Sequence, residues 1–413
     1  MEQTISANPQ TQRYVEMRET ILDAAARLFN LQGFKGTTLS DVASRVGLST
    51  NSITYYYRKK EDLAVACLLR SIETVDSIAL KASEAAAPET RVREFVRLSF
   101  ALLSDIASNR RADLMLFSDI RVLTEPHLGI IYEAYTAMFR RVRELLTEGD
   151  RKSHDRKILS ARTHLLLSLM TWARTWTFRY EPDDYLQVAN RVSDILIEGI
   201  AGPASQWTPF SDLGLRAPAM QDKADLTREA FLRAASILVN EQGYRGASVE
   251  KISALLNVTK GSFYHHNDNK EDLISECFER TFAVIRNMQK AATENPGSGW
   301  DRLCAVSRSL VRYQLSDQGP LLRVSAWSAL PEALRHEKLR TMNQLAERFV
   351  GFLVEGMKDG SIRTQDQSLA ALLISSMINA SEGLERWVPE ANVDNADELY
   401  VRPLFLGIFS APS

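Results

Sequence analysis

The chain has 413 residues, with 50 lysines and arginines against 52 aspartates and glutamates, and 45% of it is hydrophobic. This balance excludes disorder, collagen and a coiled-coil rod as descriptions of the whole, and a formal net charge of −2 means that no global basic field advertises a polyanionic partner. At roughly 150 residues per domain the length suggests two or three domains, and the low Gly and Pro content (19 and 13 residues) leans toward helix.

The first 13 residues, MEQTISANPQTQR, are polar, carry no apolar secretion signal and read as a flexible N-terminal arm. From residue 14 the apolar period becomes helical. Leu22, Ala25, Leu28 and Phe29 form a stripe that stops at Gln32-Gly33, a glycine where a helix end wants positive φ. Thr38, with Asp41 three residues on, reads as the cap of a short helix that buries Val42 and Val46. Gly47-Leu48-Ser49 is a tight break, and Ser49 caps a second short helix, TNSITYYY. Two short helices joined by such a turn are a helix-turn-helix, here within residues 14–63. Its second helix suits a major groove, with N-terminal hydroxyls and amides toward phosphates and base edges.

Residues 64–200 keep the helical period, and Leu165, Leu166, Leu169, Trp172, Trp176, Phe178 and Tyr180 make a wide apolar-aromatic face near their end. The strongest apolar run, Leu165 to Met170, is far short of the ~20 residues of a membrane span. Residues 201–224 carry Gly202, Pro203, Pro209, Gly214 and Pro218 without a sustained period, which predicts a linker. Beyond it the chain repeats itself. Shifted by 210 residues without gaps, residues 15–63 overlay 225–273 with 15 of 49 positions identical, among them Glu19/Glu229, Asn30/Asn240, Gly36/Gly246, Ser52/Ser262 and Lys60/Lys270. Cys67/Cys277 and Arg70/Arg280 match further on. That is the period of a duplicated domain. Ser248 then caps VEKISALL, Asn257-Val258-Thr259 makes the turn, and KGSFYHH is the second recognition segment, within residues 225–273. Ile274, Cys277, Phe278, Phe282, Ile285 and Met288 open the helical remainder, 274–413, where Leu369, Leu372, Leu373, Met377 and Trp387 are the counterpart of the first aromatic face. The expected fold class is all-α, in two halves.

Local charge favours nucleic acid although global charge does not. Between Gly33 and Lys60, five basic residues (Lys35, Arg45, Arg58, Lys59 and Lys60) stand against one acid, Asp41. The equivalent stretch has Arg245, Lys251, Lys260 and Lys270 against Glu250 and Asp268. Phosphate binding depends on where charge sits rather than on its total. The three cysteines, Cys67, Cys277 and Cys304, form no C-x-x-C pair and no disulfide framework, which argues for a reducing compartment and a cytoplasmic protein with no membrane partner.

Both copies resemble the DNA-binding domain of the TetR family of bacterial regulators. The resemblance is carried by the amphipathic first helix ending in Gln-Gly-Phe/Tyr-x-Gly, the helix-turn-helix, and Lys-Glu-Asp-Leu. It covers about 50 residues in each half, and two heads on one chain resemble a fused, tandem member. The resemblance implies recognition helices at Thr50–Tyr56 and Lys260–His266. It implies DNA contacts at Thr50, Asn51, Ser52, Tyr55, Tyr56 and Lys60, and at Lys260, Gly261, Ser262, Tyr264, His265, His266 and Lys270, with Lys60 and Lys270 on phosphate. Thr38, Ser49, Ser248 and Thr259 add helix-terminal hydroxyls to that surface. Thr54, where copy two keeps Tyr264, and Asn267 and Asp268, where copy one keeps Tyr57 and Arg58, depart from the pattern and predict a weaker or less rigid second head.

By the same resemblance the last two helices of each half build a four-helix interface, here between halves of one chain, and the helical bodies bind a small-molecule effector. Trp172, Arg174 and Trp176 are its candidate contacts. The partners expected are therefore double-stranded DNA and an unidentified effector, with the halves paired intramolecularly; pairing of whole chains, with four heads per dimer, is the alternative. A ligand- or protein-binding module with impaired heads is a rival from another class. Catalysis finds no support. His265-His266 has no third ligand at metal spacing, Ser248-Val-Glu-Lys251 lacks the other elements of an acyl enzyme, and P-loop, dinucleotide and zinc-protease motifs are missing, so no metal or cofactor is expected.

Overall fold

The computed structural model describes residues 9–117, 123–147, 155–209, 213, 223–261, 269–323 and 332–411. The first head comprises α1 (Pro9–Gln32), a 3-10 turn (Phe34–Gly36), α2 (Leu39–Arg45) and α3 (Thr50–Tyr56). Its body comprises α4 (Lys60–Ala82), α5 (Pro88–Ala107), α6 (His127–Leu145), α7 (Arg156–Ala173) and α8 (Tyr185–Glu198). The second half follows the same order: α9 (Lys223–Gly246), α10 (Val249–Leu255), α11 (Lys270–Glu294), α12 (Gly299–Leu315), α13 (Glu332–Asp359) and α14 (Gln367–Ala380). Among the described residues the sole β-pairing is one isolated bridge, Ala201 with Ile362. No helix among them is long and apolar enough to cross a membrane.

Residues 9–13 of the expected arm are helical. Helix α1 already starts at Pro9, whose fixed φ and missing N–H suit a first helical position. Gln12 also bonds Glu16 one turn on (3.1 Å). The expected glycine breaks hold: Gly33 and Gly243 have φ of 72° and 70°. In the helix-turn-helix, Gly47 (φ 71°) and its counterpart Asn257 (φ 56°) both sit in the left-handed region. Asparagine tolerates that region better than most residues, so the two turns keep one geometry with different sequences. The amides of Leu48 and Val258 close them on Ala43 O (2.9 Å) and Ser253 O (3.0 Å).

Residues identical in the two copies turn out to tie each head to its body. The Arg70 guanidinium donates to Glu19 on α1 (3.2 Å) and to Asp113 O beyond α5 (2.7 Å). Arg280 repeats this with Glu229 (2.6 Å) and Gln318 O (2.6 Å). The Asn30 amide donates to Leu114 O and accepts from Leu116 N, both at 2.8 Å. Asn240 does the same with Leu321 O and Arg323 N, both at 2.9 Å. Each head is thus latched to the segment that leaves α5 or α12.

The two halves pack through the helices marked by the apolar-aromatic faces. Helix α7 lies against α14, α8 also touches α14, and the C-terminal turns cover α7 and α8. Leu165, Leu166, Leu169, Leu369, Leu373 and Met377 are all buried there. One point differs from a four-helix interface: where the first half has the 14-residue α8, the second has a π-turn (Asp397–Val401) and a single helical turn (Arg402–Phe405). Pro403 supplies the reason, since it offers no N–H for a regular i→i−4 bond. One continuous apolar core joins the first head to both bodies, whereas the second head packs around its own cluster of Phe231, Ala235, Ile252, Leu273 and Phe278.

The linker is docked over its described N-terminal stretch. Gly202 N donates to Ser361 O (2.9 Å), and Trp207 donates to Glu398 (2.5 Å) while packing edge-on against Trp300 and Phe405. Arg308 donates to Thr208 O (2.8 Å) and is held by Asp397 in a buried ion pair (2.6 Å). Residues 201–209 therefore belong to the second half's surface rather than to a free coil.

Candidate nucleic-acid interface

In the first head α2 is closed by a full capping box. Asp41 N donates to Thr38 Oγ1 (3.1 Å) and Thr38 N to Asp41 Oδ2 (2.8 Å). Ser49 Oγ accepts from Ser52 N (3.1 Å) and pairs with Ser52 Oγ (2.8 Å), so α3 begins at Thr50 as expected. Ile53 anchors α3 in the core, and with that side buried, Thr50, Asn51 and Tyr55 face outward. Tyr55 is 76% exposed; Tyr57 turns in at 7%. Tyr56 lies between them and stacks on Tyr14 of α1 at 4.9 Å. The Thr54 hydroxyl donates back to Asn51 O (2.8 Å). The three consecutive tyrosines thus have three different tasks: surface, brace and core.

The two lysines expected on phosphate have a structural role as well. Lys60 Nζ donates to Phe34 O (2.9 Å) and sits 4.4 Å from the centre of the Phe34 ring. Its counterpart Lys270 donates to Tyr244 O and lies 4.0 Å over that ring. Each lysine therefore staples the loop after the first helix of its head. Burial lowers the pKa of Lys60, with Glu61 and Asp41 opposing.

In the second head Ser248 Oγ caps α10 by accepting from Lys251 N (3.3 Å). Thr259, Lys260 and Gly261 are exposed. The Lys260 ammonium is paired with Glu250, whose carboxyl it holds well below the usual carboxylate range. Ser262, Tyr264, His265 and His266, with the departures Asn267 and Asp268, lie outside the described residues.

The effector candidates separate. Arg174 is not free for a ligand: it donates to Leu114 O (2.9 Å) and pairs with Asp113, adding to the latch that holds Asn30. Its partners lie some sixty residues upstream, a contact no local pattern reveals. Trp172 is half-buried at the edge of the core. Trp176 is 3% exposed, beside Phe100 (6.0 Å) and Tyr180 (6.4 Å), and its indole N–H has no hydrogen-bond partner among the described residues. Trp387, expected in the second half's counterpart of the aromatic face, stacks across the halves on Tyr135 (4.7 Å) and Phe139 (5.0 Å) of α6, partners that the sequence did not indicate. Among the described residues no group of three His, Cys, Asp or Glu could hold a metal ion.

Comparison with known proteins agrees with this geometry. The family described as bacterial regulatory proteins, tetR family, matches twice, at residues 21–67 and 231–277. A tetracyclin repressor-like C-terminal domain matches residues 296–387. Transposon Tn10 TetC protein of Escherichia coli is 30% identical over 25% of this chain and 52% of its own length. The HTH-type transcriptional repressor DhaR of Mycobacterium sp. (strain GP1) is 28% identical over 40% of this chain and 79% of its own. The chain thus spans about half of the first relative and about four-fifths of the second. A solved TetR-family transcriptional regulator from Bordetella parapertussis aligns with 44% of this chain and 95% of its own at 20% identity, with a TM-score of 0.39. Two copies of the TetR-family DNA-binding head and one C-terminal domain are therefore matched in tandem along this one chain.

Proposed function

We propose that this protein is a sequence-specific, DNA-binding transcriptional regulator, a ligand-responsive repressor whose two halves pair as an intramolecular pseudo-dimer. The observation that carries the reading is the self-equivalence of the contact between halves. Shifted by 210 residues, α7 becomes α14, the two helices that face each other across the junction. Other contacts obey the same exchange. Trp387 lies on α6 beside Tyr132 (6.3 Å), and Arg179 bonds Asn343 on α13; the shift carries residues 177 and 133 to 387 and 343. An isologous contact of this kind is what a two-fold axis produces.

Under this reading the axis of the protein coincides with that of the bound site, and the recognition helices enter successive major grooves about 34–36 Å apart. Asn51 and Tyr55 read bases in one half-site, and Lys260 and Gly261 stand at the start of the segment that reads the other. Because TNSITYY and KGSFYHH differ, the operator is an imperfect palindrome with unequal halves. DhaR, named as a transcriptional repressor, supports repression. The effector binds in a body, and the unpartnered indole N–H of Trp176 is its candidate hydrogen-bond donor in the first half. By preferring one arrangement of the heads it shifts the population away from the DNA-binding state.

The test is selection of duplexes from a random pool by the purified full chain at near-physiological salt, with solution mass measured in parallel. One enriched site with two unequal halves, bound by a single chain, is the expected result. Absence of enrichment from a folded sample overturns the regulator reading, and two chains per site overturn the pseudo-dimer.

A further inference from the structure

Two lysines counted in the local charge of the heads stand apart from both recognition helices. Lys35 leaves the 3-10 turn of the first head and reaches the second, where its ammonium lies 3.4 Å from the position a Cβ on Gly246 would occupy. Gly246 is the repeat counterpart of Gly36, so the heads meet through equivalent loops, on the approximate axis that exchanges them. Lys251 of α10 faces Lys35 there. Burial lowers the pKa of Lys35, and the charge of Lys251, then that of Lys60, adds to the effect. Among the described residues Lys35 has no acidic partner, and both lysines are exposed. The Lys251 ammonium bonds the Gln242 amide oxygen, a neutral acceptor. Glu241 and Glu385 line the cleft of about 430 Å³ behind this seam, together with Glu382, which is paired with Arg323.

The placement of Lys251 is locally unfavourable, which gives a second and independent observation. It is the third residue of α10, in the first turn, where the helix dipole disfavours a cation. The first head has Asp41 at that position, which completes the capping box with Thr38. In the second head the first-turn carboxylate stands one residue earlier, at Glu250, and the position of Asp41 carries a cation opposite another cation. An anion that enters between the two ammonium groups relieves their mutual repulsion.

We propose that Lys35 and Lys251 form a joint phosphate clamp for the DNA backbone at the centre of the bound site, between the two half-sites. The proposal rests on the function argued above: a duplex that engages both recognition helices runs its backbone past the seam on the axis. The contact carries no base information, so it fixes register and head spacing rather than sequence preference.

The experiment compares the full wild-type chain with the double variant Lys35→Gln/Lys251→Gln on the duplex selected by wild type, across a salt series. Each phosphate contact contributes about 0.9 to the slope of log K against log salt, so the double variant flattens it by about two units. It weakens binding alike on sites with altered half-sites, and hydroxyl-radical protection disappears at the central base pairs while persisting at both halves. The conservative variant Lys35→Arg/Lys251→Arg restores slope and protection. An unchanged slope with central protection intact overturns the clamp and leaves the regulator reading standing. Failure of wild type to select any duplex overturns that reading and the clamp with it. Saturable stabilisation by inorganic phosphate, abolished in the double variant whose DNA binding is unaltered, assigns the seam to a small phosphate ligand and also overturns the clamp.

Discussion

Asn240→Ala is the sharpest perturbation of the latch between head and body. The Asn240 side chain donates to Leu321 O and accepts from Arg323 N, both at 2.9 Å, in a buried site. Alanine removes both partners at once, and each orphaned buried backbone group costs about 1–3 kcal/mol. The expected loss is therefore about 2–6 kcal/mol. Asn30→Ala removes the same pair in the first half, but there the site is only part-buried and Leu114 O keeps Arg174 Nη1 as a second donor (2.9 Å). Its loss should be smaller, about 1–2 kcal/mol. Urea denaturation followed by circular dichroism measures both, with the m-value as a check that the unfolded state is unchanged. Amide exchange should accelerate around residues 321–323 in the first variant and 114–116 in the second. A loss below about 0.5 kcal/mol for Asn240→Ala would refute the reasoning. So would the reverse order of the two variants, because the argument rests on burial and on the extra donor.

Trp387→Ala removes the aromatic that the second half stacks against Tyr135 and Phe139 of the first. About 2–3 kcal/mol should be lost, with a change in near-ultraviolet dichroism; an unaltered spectrum and midpoint count against this stacking across the halves. Gly199→Ala places a methyl 2.5 Å from Gly407 N at a residue with φ of 75°. The backbones of the two halves must separate, so melting should fall by an amount equivalent to about 2 kcal/mol or more, and retention of the wild-type melting point refutes the close approach. Burial pushes the Cys67 and Cys277 thiols up to about 12. The unfolded thiols ionise near pH ~8.5, so the native state holds protons that the unfolded state has released, and these groups lower stability as pH rises from about 9 toward 12. Urea midpoints measured over that range should fall less steeply in Cys67→Ala/Cys277→Ala than in wild type; equal slopes refute the assignment.

Much of the heads was legible because their determinants are close in sequence. Stripe, glycine break, cap and turn all lie within one short segment, and each is a local backbone or side-chain requirement. Thr38 with Asp41 could be read as a cap from a spacing of three, and the structure has that box. The duplication made the reading twice as informative, since Gly47 and Asn257 mark one turn with two residue types suited to positive φ. Site roles were less legible. Lys60 lies in a basic cluster and reads as a phosphate contact, yet its ammonium is folded onto Phe34 O, 26 residues back. Asn30, Glu19 and Arg70 stood out as repeated residues without any indication that they hold the body.

The amino-acid sequence by itself determined that the protein is helical, that it is built twice, and where each helix-turn-helix lies, because periodicity, capping and turn chemistry act over a few residues. Tertiary structure alone decided what the polar and aromatic residues with distant partners do. Arg174 became a brace by meeting Asp113, Trp387 a cross-half wedge by meeting α6, and residues 201–209 a docked strap by meeting Ser361 and Glu398. It also brought Lys35 against the second head, beside Gly246. Each of these depends on which distant surface arrives opposite a side chain. Burial, charge pairing and hydrogen-bond satisfaction are settled only when those surfaces meet.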